Sequence, residues 1–129
     1  MQHAAQAYKN VAKETASTRD LEASLLLKAA AQFQAICDGW DRRKPELNDA
    51  LLFNRKLWTF FLESVTRDDN PLPIDIRQNV ASLGMFVIGR TINLTSNPKP
   101  EGLGTLISIN RNIASGLRSK PRQPLTGAR

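Results

Sequence analysis

A chain of 129 residues that is 41% hydrophobic and 23% charged has the size and composition of one globular domain, which excludes a low-complexity disordered chain and a membrane bundle. Its formal charge of +6 is unevenly placed: up to Glu101 there are 13 bases against 12 acids, and beyond it five bases and no acid. The excess belongs to the C-terminal end rather than to a folded basic face. Residues 119–129, with Pro121, Pro124 and Gly127, are expected to form a basic disordered tail behind a helical domain spanning 1–118.

The first helical segment, about Gln2 to Glu14, is alanine-rich and holds few large apolar residues. So short and weakly apolar a helix is marginal alone and is expected to dock on the rest of the chain. A second segment follows from about Arg19 to Asp38, with Ser17 and Thr18 as candidate N-caps. Its stripe is Leu26, Ala30, Phe33, Cys37 and Trp40, at three- and four-residue steps. Gly39 and the bases Arg42, Arg43 and Lys44 close it, and Pro45 suits the first turn of a third helix.

That third helix reaches about Arg67, with Leu47, Leu51, Asn54, Trp58, Phe61 and Val65 on one stripe and Leu57, Phe60 and Leu62 widening it. Pro71 and Pro73 enforce a turn, after which a fourth helix continues to about Leu94. It carries Ile76, Val80, Leu83 and Val87 on one side and Met85, Ile88 and Ile92 on another. Such a helix is either central in a bundle or keeps one side for a partner. Pro98 and Pro100 end it, and a fifth helix, about Glu101 to Leu117, bears Leu103, Leu106, Ile107, Asn110 and Ile113. The expected fold is an all-α, single-domain bundle of about five helices, mostly antiparallel.

No apolar run approaches the roughly 20 residues of a membrane span, and the start of the chain lacks the layout of a signal peptide. The single cysteine, Cys37, fits a reducing compartment, so the cytoplasm is the expected location. Catalytic chemistry finds no foothold. His3 is the one histidine, Cys37 lies on an apolar stripe, and no glycine spacing matches a phosphate loop. The sequence therefore predicts no enzyme, metal or cofactor, and a chain that works by binding another macromolecule.

Two features point to how. Asn54 and Asn110 interrupt apolar stripes, and a buried asparagine must find hydrogen bonds or cost about 1–3 kcal/mol. Bonding to a neighbouring backbone or to Arg77 would fix helix register; receiving a partner's backbone is the alternative. The second feature is apolar surplus. Leu57, Phe60, Met85, Ile88 and Ile92 exceed what one small core needs, and together they predict either core around a central helix or a groove for amphipathic helices.

Several stretches resemble the FlaF family of flagellar factors. They are Ala7-Tyr8, the run Ala50 to Phe61 with its asparagine-then-leucine-tryptophan pattern, Asn70-Pro71-Leu72-Pro73, Arg77, Ser82 to Val87, and Ile109 to Leu117. The resemblance implies a factor for flagellin synthesis and export that binds flagellin's terminal helices and is linked with the translational regulator FlbT. On that reading Asn54, Trp58, Arg77 and Asn110 hold the groove's shape, and Leu57, Phe60, Met85, Ile88 and Ile92 are its contacts. The first helical segment is expected to lie in the groove when flagellin is absent. The alternative is post-transcriptional control through FlbT or flagellin mRNA, with Arg111, Arg118, Lys120 and Arg122 on phosphates. The lack of stacking aromatics argues against a nucleic-acid partner.

Overall fold

The computed structural model describes residues 2–118, with side chains described at Gln6 and from Thr18 onward. Four long helices carry the fold: α1 (Gln2–Asp38), α3 (Leu47–Thr66), α4 (Ile74–Ser96) and α5 (Leu103–Arg118); α2 (Trp40–Arg43) is a single turn. No strand occurs among the described residues. The all-α architecture is as the sequence predicts, but the first two expected segments are one helix. Between Glu14 and Arg19 stand only Thr15, Ala16, Ser17 and Thr18, with no glycine or proline to break the ladder. Ser17 and Thr18 therefore lie within α1 instead of capping a second helix. The segment expected to fold into a groove continues α1 in line.

Chain direction reverses where the sequence is punctuated. Gly39 follows α1, α2 leads into a 3-10 turn over Lys44–Glu46 that holds Pro45, and α3 begins at Leu47. The α3–α4 turn is closed by Asn70, whose side-chain amide donates to Ser64 O at 2.9 Å while its Oδ1 accepts from Leu72 N at 3.0 Å. Such self-bonding is why asparagine suits tight turns. A second 3-10 turn, Pro100–Gly102, leads into α5. A Cβ on Gly102 would fall 2.5 Å from Leu94 Cδ2, so the absent side chain lets this turn lie against the end of α4.

The helices form two antiparallel pairs. Arg118 Nη2 donates to Ser24 Oγ at 2.8 Å, and Cys37 Sγ donates to Pro100 O at 3.7 Å, which sets α5 alongside the C-terminal half of α1. Half-buried Cys37 thus packs against the core and the backbone rather than facing a base. In the other pair, α4 runs back along α3 with Gly84 against Trp58 and Leu62. α1 bridges the pairs by packing also on α3. The shared core holds Leu26, Phe33, Ile36, Leu51, Trp58, Leu103 and Leu106. Each large side chain buried there contributes about 1.5–3 kcal/mol.

Candidate partner-binding site

A polar chain crosses this core between α3 and α5. Trp58 Nε1 donates to Asn110 Oδ1 at 2.9 Å, and Asn110 Nδ2 donates to Asn54 Oδ1 at 2.8 Å. All three residues are buried. Asn54 and Asn110 sit one α-helical stripe inside their helices, so packing alone would have favoured leucine; instead they bind each other, and neither bonds to Arg77. Asn54 Nδ2 has no hydrogen-bond partner among the described residues. The network joins the two helix pairs and fixes how α3 meets α5, because sliding one helix by a turn would orphan three buried groups.

Arg77 works elsewhere. Its Nε donates to Val65 O and its Nη2 to Arg67 O, both at 2.9 Å. Val65 O is a terminal carbonyl of α3 left open by the end of the helix ladder, and Arg67 O at the C-cap accepts from Asn70 N as well; the guanidinium binds both while opposing the negative end of the helix dipole.

The five apolar residues expected to meet a partner do not form one group. Leu57 is buried in the core and Ile88 is packed partly against it. Phe60, Met85 and Ile92 are open to solvent, at 57%, 64% and 51% exposure. Phe60 lies on α3, its ring edge against Phe61 at 6.0 Å between centroids. Met85 and Ile92 belong to α4, which is not central: it packs principally on α3, and its buried residues are Gly84, Val87, Thr91 and Leu94. Thr91 is tolerated there because its hydroxyl donates to Val87 O at 2.7 Å.

Opposite that face, Ile74, Gln78, Ala81, Met85, Gly89 and Ile92 follow one another at three- and four-residue steps. No charged residue interrupts them. The charged residues of α4 are Asp75, Arg77 and Arg90. Arg77 is turned to α3, and Arg90 lies over the Phe86 ring at 5.5 Å. At Gly89 a Cβ would meet nothing within 4 Å, so the glycine leaves a notch between Met85 and Ile92. Ile74, Gln78 and Gly89 escaped the sequence reading, although their spacing from Met85 was the available signal.

A separate cleft of about 340 Å³ opens where the two helix pairs diverge. Arg19 and Glu22 of α1, Trp58, Phe61 and Val65 of α3, Leu72, Val80 of α4, and Ile113 and Leu117 of α5 line it. Burial pushes the Glu22 carboxyl above its ordinary range, an effect that Arg19 partly offsets. Glu22 makes no ion pair among the described residues.

Of the four bases considered for RNA, Arg111 and Arg118 lie exposed on α5 and reach Gln34 and Ser24 of α1, whereas Lys120 and Arg122, with the expected 119–129 tail, lie outside the described residues. The cation–ring contacts among the described residues pair Lys28 with Phe53, Lys44 with Trp40 and Arg90 with Phe86, and involve neither α5 arginine. Among the described residues no three His, Cys, Asp or Glu side chains group as a metal site would need, and no helix is long and apolar enough to cross a membrane.

No curated protein and no solved structure matches the chain. The family model described as flagellar protein FlaF matches residues 4–117, from the first turn of α1 to the last turn of α5. Nearly the whole described fold, its buried Asn54–Asn110–Trp58 link included, thus falls within that match, and the chain belongs to the FlaF family of flagellar proteins.

Proposed function

We propose that this chain is a cytoplasmic export chaperone for flagellin, covering the amphipathic terminal helices through which flagellin polymerises. The observation that carries the reading is the outward side of α4: uncharged from Ile74 to Ile92, with Met85, Ile74 and Ile92 each more than half exposed. An amphipathic helix laid along it would bury its apolar stripe against these residues, the mode by which helices dock into apolar grooves. The Gly89 notch allows close approach of the partner's backbone, and Phe60 adds an exposed ring on α3. The Arg77 clamp ties α4 to the end of α3, and the polar link fixes α3 on α5, so the surface needs little ordering on binding.

Calorimetric titration with flagellin, intact and with either terminal helix removed, tests this. Submicromolar binding that disappears with one terminus supports masking. A folded chain that binds no flagellin form but binds FlbT or flagellin mRNA would transfer the assignment to post-transcriptional control.

A further inference from the structure

Along the outward side of α4, small and large residues alternate: Ala81, Met85, Gly89 and Ile92. Val87 lies midway between Met85 and Gly89, and Ala81 and Ile92 are spaced about nearly the same point. Two antiparallel copies of α4 crossing at that level would set each Met85 into the other's Gly89 notch and each Ile92 over the other's Ala81. A parallel pair would instead stand Met85 on Met85 and glycine on glycine.

The charges agree with the antiparallel direction. Asp75 lies in the first turn of α4, and Lys99 stands just past its last. Both are exposed, and neither joins an ion pair among the described residues. They too are equidistant from Val87, so each Asp75 would face the second copy's Lys99, where a parallel pair would oppose acid to acid and base to base. The other charges of α4 stay clear of the contact, Arg77 bonding to the end of α3 and Arg90 lying over Phe86.

We propose that a second copy of this chain docks on the outward side of α4, forming a two-fold, antiparallel α4–α4 dimer. A surface that meets itself across a two-fold axis must be self-complementary, and pairing of large with small and acid with base about one level meets that requirement. The contact runs from Gln78 to Ser96, about 27 Å of helix. One helix pair is smaller than a permanent interface, so the dimer is weak and exchangeable. Its role rests on the assignment of this face to flagellin: the dimer covers the apolar stripe until flagellin displaces the second copy.

Sedimentation equilibrium of the full chain without flagellin, from micromolar to submillimolar concentration, tests this. A monomer–dimer equilibrium is expected. Met85→Asp should weaken it by about tenfold or more, because the contact would bury two carboxylates, and Leu21→Asp on α1 should leave it unchanged. Asp75→Lys and Lys99→Asp should each weaken it about three- to tenfold, since two exposed ion pairs are reversed at once, and the chain carrying both should recover native association. Melting temperatures check that each variant folds. A chain monomeric throughout, a dimer indifferent to Met85→Asp, or a double reversal that fails to restore association would overturn the proposal. Flagellin added to the native dimer should yield a complex holding one copy of the chain. A dimer that binds flagellin and stays intact would overturn the shared face, and flagellin binding by a strictly monomeric chain would overturn the dimer alone.

Discussion

The indole of Trp58 donates to Asn110 across the core at 2.9 Å, between two residues that are 1% and 0% exposed. Asn110 stands at the middle of the link, accepting from α3 and donating back to it, whereas Asn54 stands at its end with its side-chain NH2 already unpartnered among the described residues. Removing the middle member is predicted to be worse than removing the end. Asn110→Ala should destabilise by about 2–3 kcal/mol, since it orphans the Trp58 N–H, and Asn54→Ala by about 1 kcal/mol. Urea unfolding measures both, with unchanged slopes.

The Arg77 clamp predicts a dependence on geometry rather than charge. Arg77→Met should lose about 1–2 kcal/mol and let the last turn of α3 fray, seen as faster amide exchange near Val65 and Arg67. Arg77→Lys should recover only part, because one ammonium cannot span two carbonyls in the way the planar guanidinium does.

Gly89 separates stability from binding. Gly89→Ala meets nothing within 4 Å and is predicted to raise stability by about 0.5–1 kcal/mol through helix propensity. Gly89→Arg should leave the melting temperature close to that of Gly89→Ala, yet fill the notch and weaken flagellin binding by tenfold or more. Equal flagellin affinity for all three chains would remove the notch from the account.

Leu57 and Met85 looked alike in sequence and should behave oppositely. Leu57→Asp buries a carboxylate in the core and is predicted to unfold the domain, a loss of several kcal/mol. Met85→Asp lies on open surface and should alter stability by no more than about 0.5 kcal/mol. Circular dichroism melts distinguish the two directly.

Periodicity and punctuation revealed the helices from Arg19 onward, because Gly39, Pro45, Pro71, Pro73, Pro98 and Pro100 stop the backbone wherever they fall. The junction near Ser17 was misread for the converse reason: serine and threonine favour caps but do not forbid helix interior. That Asn54 and Asn110 require partners was legible; that they find each other was not, since 56 residues separate them and only the packing of α3 on α5 brings them together. The sides of α4 followed from spacing, but which side faces α3 did not. Leu57 shows the limit most plainly, because a surplus apolar residue reads the same whether a core or a partner takes it. The cleft needs all four long helices in place and leaves no local signature.

The central claim, that flagellin is held on the outward side of α4, is tested most directly by titrating flagellin with Met85→Asp and Ile92→Asp. Leu21→Asp serves as control, on α1 and 60% exposed in the native chain. The account predicts that all three fold as the native chain does, that the two α4 variants lose at least tenfold in affinity, and that the control binds normally. Folded α4 variants that bind flagellin with native affinity would contradict it.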